Sequence, residues 1–205
     1  ARGPVADSTM TKPSGLGPQA TDGHGRAHMA SPSLGLDTRH PHLVDYDARW
    51  PAVFAALQTD LLSTLSDRIL GVHHVGSTSV PGLRAKPILD VLVAVADFAA
   101  SLECVPLLAS LGFSYGPEDD LPDRHYFRAH RDGLRTHHLS LAEPTSRHYV
   151  NTLVFRDALR ADDALAQRYQ ALKEDLYAEH VPGAPLHRGK TEFVTGVLAA
   201  RGGIV

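Results

Sequence analysis

The run from Pro87 to Val95, Pro-Ile-Leu-Asp-Val-Leu-Val-Ala-Val, constrains this chain more than any other stretch. It is almost unbroken in its apolar character and bounded by Pro87 and Asp97, and runs of this length and composition suit strands buried on both faces. A shorter apolar run, 69–75, precedes it, so the segment reads as strand, loop, strand. The loop carries Gly76, Ser77, Thr78 and Ser79, small polar residues whose amides and hydroxyls an anion can approach closely. Such residues also make ordinary turns. Two charges sharpen the reading: Lys86 adds a cation, and Asp90 sets a carboxylate among apolar neighbours, where it needs a partner or a metal.

Around this centre the chain reads as one domain, 43–205, behind a leader, 1–42, that is rich in Gly, Pro, Ser, Thr and His and lacks periodicity. Trp50, Val53, Phe54, Leu57, Leu61, Leu62 and Leu65 recur at helical spacing and predict an amphipathic helix over 48–67. Asp97 is placed to cap a helix over 98–111, with a break expected at Pro106. An acidic, turn-rich stretch, 112–122, reads as a solvated loop. Asp132-Gly133 then predicts a hairpin between strands 125–131 and 134–142, the most basic short region of the chain. Ser146 or Thr145 is placed to cap a helix through Arg160 and Asp162 one through about His180, and a third helix is expected from about Pro185 to Ala200.

Composition limits the function classes. A net charge of −3 provides no global basic field, so nucleic acid is not an expected partner. The single cysteine, Cys104, excludes an internal disulfide and a cysteine-rich zinc site, and in a helical pattern it reads as a buried, inert thiol. No apolar segment approaches membrane-spanning length and the first residues lack an apolar signal core, so a cytoplasmic protein with no membrane partner is expected.

The stretch His74-Val-Gly-Ser-Thr-Ser-Val-Pro-Gly-Leu-Arg-Ala-Lys-Pro-Ile-Leu-Asp90 closely resembles the signature of the GrpB family (UPF0157), a branch of the polymerase beta-like nucleotidyltransferase superfamily. The resemblance extends to Val44-Asp-Tyr-Asp-Ala-Arg-Trp50, Thr136-His-His-Leu139, Leu153-Val-Phe-Arg-Asp-Ala-Leu-Arg160, Leu172-Lys173 and Lys190. It implies an α+β fold, a nucleotidyltransferase-like mixed β-sheet with flanking helices and a C-terminal helical segment. It also implies an enzyme that binds ATP or another nucleoside triphosphate with Mg²⁺ or another divalent metal, and passes a nucleotidyl group to a small polar acceptor or activates a carboxylate or amine.

The resemblance puts the phosphates on the turn of Gly76 and Ser77, which Thr78 and Ser79 extend; Lys86 and two cations of the basic hairpin, Arg124 and Arg128, read from their charge as further substrate-binding residues or as ordinary salt-bridge partners. Asp90 and His138 become the catalytic and metal-binding pair. In the superfamily two carboxylates one residue apart on a strand grip the metal together, because side chains two apart share a face. Here the second position is Leu92. Asp119, Asp120, Asp123 and Glu143 are candidate replacements, and His138 could complete a mixed Asp/His site. Two alternatives follow from Leu92: a degenerate module that binds a small molecule or nucleotide without turnover, or the same fold used for a nucleotide-independent reaction on an anionic small molecule. His137 and His138 alternate in facing; His138 is the inward choice, and His137 is equally suited to solvent.

Overall fold

The structure, a computed structural model, describes residues 33–179 and 188–205. The expected helix ends at His180 and Pro185, and residues 1–32 of the leader, lie outside them. Helix α1, Trp50–Leu65, starts with a proline in its first turn, where the missing N–H costs nothing. It buries Trp50, Leu57, Leu61 and Leu65 completely, a stripe spaced by seven and then by four residues, as one helix face requires. Each leucine hidden in this way contributes roughly 2 kcal/mol. Strand β1, Gly71–Val75, leads through the Gly76 loop to β2, Leu89–Ala94, and the two pair antiparallel. Asp97 caps the next segment by accepting from the Ala100 N–H. That segment is a 3-10 turn, Ala100–Cys104, followed by a short α2, Val105–Ser110, with the change falling beside Pro106.

The expected 112–122 loop contains a strand, β3, Phe113–Tyr115, which pairs with β4, His125–Arg131. Asp132 and Gly133, both at positive φ (53° and 77°), turn β4 into β5, Leu134–Ala142, as the hairpin reading expects. The five strands form one sheet in the order β1-β2-β5-β4-β3, with β2 and β5 parallel and the other pairs antiparallel. The architecture is therefore α+β with a mixed sheet and flanking helices.

Alternation divides the sheet. Leu89, Val91, Val93, Leu139, Leu141 and Phe127 face α1 and α2 and form the main core. Asp90, Leu92 and His138 lie on the other face, toward α3, Arg147–Ala161, α4, Asp163–Ala178, and α5, Thr191–Arg201. Ser146 and Asp162 cap α3 and α4 through the N–H groups of Tyr149 and Leu165.

The described part of the expected leader, 33–42, packs onto the domain. Leu34 and Leu36 are buried, and Leu36 exchanges backbone hydrogen bonds with Arg135. His137, which the alternation left free to face solvent, is fully buried in the core beside Phe113. Cys104 is buried and unbridged, and burial raises its pKa. Among the described residues no helix is long and apolar enough to cross a membrane.

Candidate functional site

Gly76 takes φ 67°, and a methyl group there would come within 2.2 Å of Asp90 Oδ2. Only glycine therefore lets the loop after β1 lie against the carboxylate that β2 presents, both for backbone and for space. Inside the loop, Thr78 Oγ1 is hydrogen-bonded to His74 Nε2 at 3.0 Å, and Ser79 Oγ donates to the Gly76 carbonyl at 2.6 Å. These two hydroxyls hold the turn together. Ser77 differs from them in lining two cavities, together with Lys86, Asp90 and Lys190.

Three helix side chains brace this loop. From α3, Arg156 Nη1 donates to the His74 carbonyl at 3.2 Å and Arg160 Nε to that of Ser79 at 2.9 Å. From α4, Lys173 Nζ donates to Ser77 Oγ at 3.2 Å and to the Arg84 carbonyl. Arg84 is itself fixed to α4 by an ion pair with Glu174 (2.9 Å) and by its N–H donating to Gln170.

Asp90 accepts a 2.9 Å hydrogen bond from His138 Nδ1, as the register pairing of β2 with β5 requires. Burial by itself would raise the Asp90 pKa. The His138 hydrogen bond and the positive potential of His138 and Lys86 outweigh it and hold the carboxyl below its ordinary range. His138 Nε2 is buried and has no hydrogen-bond partner among the described residues.

Two lysines have their charge weakened. Lys173, 2% exposed, is pushed down to about 7 by burial and then by the charge of Lys190. Lys190 is lowered to about 8, again by burial first and next by Lys86, with Asp90 pulling the other way. Tyrosine rings flank both: Lys173 Nζ lies 5.0 Å from the centre of Tyr169, and Lys190 Nζ 5.9 Å from that of Tyr177. Burial and the Asp90 charge raise Tyr169 to about 12.

The cavity in front of this cluster has a volume of about 920 Å³, in the range of small-molecule sites. Gly76, Ser77, Lys86, Asp90 and Lys190 form one end, and Phe155, Leu159, Tyr169, Val194 and Leu198 give an apolar wall. Concentrated positive charge with few carboxylates, beside an apolar wall, is the chemistry of a site for an anion that carries a hydrophobic or aromatic body.

Of the residues singled out from sequence, Gly76, Ser77, Lys86 and Asp90 come together here. His138 touches Asp90 from behind without lining the cavity. Thr78 and Ser79 are occupied within the turn. Arg124 and Arg128 do not line the cavity: Arg128 is ion-paired to Glu118 and Asp119, and Arg124 donates to the Asp119 carbonyl and lies over the Tyr126 ring. Lys173, noted in the sequence only within a helix, was missed as a site residue. Its signal is visible: with Leu165, Tyr169 and Tyr177 it forms an i, i+4 row, which puts a lysine in the middle of an apolar stripe.

The donor set does not fit a two-ion centre. Leu92 is fully buried against Val75, Ala142, Tyr149 and Leu153, so an apolar contact occupies the second carboxylate position. Asp119, Asp120 and Glu143 are committed to Arg128, to Tyr115 with His125, and to the Phe98 N–H. Among the described residues no group of three His, Cys, Asp or Glu side chains could hold a metal. Asp123, the remaining candidate, lines the same cavity with Arg147 and His148 and accepts the His148 N–H, and Asp90 is the carboxylate among the lysines for an ion that a ligand brings with it.

The family profile described as "GrpB protein" matches residues 40–199. The UPF0157 protein YqkA of Bacillus subtilis is 31% identical over 76% of this chain, which spans 46% of that protein, about half its length. The UPF0157 protein BH1888 of Halalkalibacterium halodurans is 38% identical over 67% of this chain and 69% of its own length. Among solved structures, the conserved protein GrpB from Enterococcus faecalis superposes with a TM-score of 0.71 at 30% identity, covering 78% of this chain and 96% of that one. With a profile spanning the sheet, the braced loop and the helices behind it, and a solved relative of the same fold, this chain belongs to the GrpB family.

Proposed function

We propose that the cavity binds a nucleoside triphosphate by its phosphates, with a small polar acceptor alongside, and that the chain is a transferase that moves a nucleotidyl group or activates a carboxylate or amine. One observation carries this: Lys86, Lys190 and the buried Lys173 surround Ser77 and Asp90 at one end of a cavity that has an apolar wall beside them. In this reading Ser77 and the lysines hold the phosphates, and the body of the nucleotide lies against Phe155, Leu159 and Tyr169. Lys173 fixes Ser77, and His138 sets the orientation of Asp90. A Mg²⁺ ion would arrive on the triphosphate with Asp90 as its protein carboxylate, supplying charge neutralisation.

Calorimetric titration with ATP, with and without Mg²⁺, tests the reading. Micromolar binding that falls at least tenfold in both Lys86→Met and Lys190→Met supports it. Absence of heat with the wild type, or equal heat with both variants, counts against it.

The buried Leu92 favours a second reading, in which the same pocket binds nucleotide without turnover. The two differ in pyrophosphate release from ATP when acceptors are supplied: a transferase releases it, and a binding module does not.

A further inference from the structure

The cavity has a second polar end. Its lining follows α3 from Arg147 and His148 in the first turn to Arg156 and Leu159 near the last. At 1.5 Å rise per residue, His148 and Arg156 stand about 12 Å apart along the helix. Arg156 marks the lysine end, since it and Arg160 hold the carbonyls of His74 and Ser79. Asp123, Arg147 and His148 make the other end.

Three features distinguish it. Asp123 and Arg147 have opposite charges and line the same space, yet they form no ion pair with each other. Asp123 Oδ2 accepts only the His148 backbone N–H, at 2.7 Å, and Arg147 makes no hydrogen bond or ion pair among the described residues. The His148 ring is kept uncharged, because burial and then the Arg124 charge lower its pKa to about 4 against the pull of Asp123. The neighbouring Asn151 is fully used, exchanging two hydrogen bonds with the backbone of Ile204. Half-buried Asp123 and Arg147, which is exposed at the mouth of the cavity, set opposite charges on one space without pairing to each other, and so match a ligand that has both charges better than one that has a single charge.

We propose that this end is the acceptor subsite and that the acceptor is a free amino acid or similar small zwitterionic aminocarboxylate, its carboxylate on Arg147 and its ammonium on Asp123. The role of acceptor rests on the nucleotide reading above; the binding itself does not. His148 borders the bound amine and carboxylate as a hydrogen-bonding neighbour.

The test is calorimetric and thermal-shift titration of the full chain with the common amino acids. For each that binds, two truncated analogues are added, one lacking the amine and one lacking the carboxylate (for alanine, propionate and ethylamine). ATP is titrated in parallel. At least one amino acid should bind while neither of its truncated analogues does. Arg147→Met and Asp123→Asn, the latter keeping an acceptor for the His148 N–H, should each weaken it at least tenfold and leave the ATP titration unchanged. Lys190→Met should do the reverse. The proposal is overturned if no amino acid binds, if the two variants bind it as the wild type does, or if a truncated analogue binds as well as the whole. Amino-acid binding that follows these rules without any ATP binding would uphold the subsite and reject the nucleotide reading. ATP binding with no amino-acid binding would do the opposite.

Discussion

Lys173 Nζ donates to Ser77 Oγ at 3.2 Å, joining the middle of α4 to the loop after β1 across 96 positions of sequence. A lysine this deeply buried, with no carboxylate bonded to it among the described residues, is costly to the folded state. The same side chain holds the one loop hydroxyl that opens onto both cavities. Stability is traded here for a positively charged, preorganised pocket, a common arrangement at functional sites.

The cost has a pH signature. Lys173 titrates near 7 when folded and near its ordinary 10.5 when unfolded, so between these values the unfolded chain holds a proton that the folded chain lacks. Stability therefore rises with pH across that window, by up to about 1.4 kcal/mol per unit, and levels off below 7. Urea unfolding from pH 7 to 9.5 should show this share of the slope in the wild type and not in Lys173→Met. Parallel curves would contradict the buried, weakened ammonium.

Anion binding should be linked to protons as well. A phosphate favours the charged forms of Lys173 and Lys190, lowered to about 7 and 8, so binding at pH 8 takes up protons and affinity falls as pH rises from 7 toward 9. Calorimetry in buffers of different ionisation enthalpy measures the uptake directly. A pH-independent affinity with no proton exchange would exclude both lysines from the phosphate contact.

Gly76→Ala should be among the most damaging single-methyl changes in the chain. It combines a positive φ with a contact of 2.2 Å to Asp90 Oδ2, and should cost at least about 2 kcal/mol while pushing Asp90 away from the loop. Gly133→Ala, also at positive φ but with nothing within 4 Å of the added carbon, should cost less and leave ligand binding unchanged. Chemical denaturation of the two variants side by side checks the difference.

Asp90→Asn removes the negative charge among the lysines. Without Mg²⁺ it should bind ATP several-fold more tightly than the wild type, because the repulsion of the phosphates is gone. With Mg²⁺ the advantage should vanish as the carboxylate that would hold the ion is lost. Titrations in EDTA and in Mg²⁺ decide this, and an equal effect of the substitution in both would remove Asp90 from any metal contact.

Local chemistry made most of the fold legible. Asp132-Gly133 located the hairpin, Ser146 and Asp162 located two helix starts, and the apolar run ending at Val95 located the buried strand. Strand β3 was not legible, because three residues between Gly112 and Gly116 are too few to show alternation. Leu34 and Leu36 are two isolated apolar residues in a Gly- and Ser-rich stretch, and their burial depends on the distant Arg135 at the start of β5.

The candidate site was legible in part for the same reason. Gly76, Ser77, Lys86 and Asp90 lie within fifteen residues and come together through one loop and one strand. Arg128 drew attention as a cation of the basic hairpin, but Glu118 and Asp119, from the turn ahead of that strand, cover it. The row of Leu165, Tyr169 and Tyr177 marks Lys173 as buried, but that it lines one cavity beside Ser77 and His148 the other depends on how α3 and α4 sit over the sheet, which periodicity within each helix does not encode.

The most direct measurement is a crystal structure with a non-hydrolysable ATP analogue at saturating concentration. Phosphate density within hydrogen-bond distance of Ser77, Lys86 and Lys190, with the base against Phe155 or Tyr169, is the predicted result. An empty cavity at that concentration, or an analogue seated elsewhere with Ser77 and both lysines untouched, would contradict the assignment of this pocket to a nucleotide.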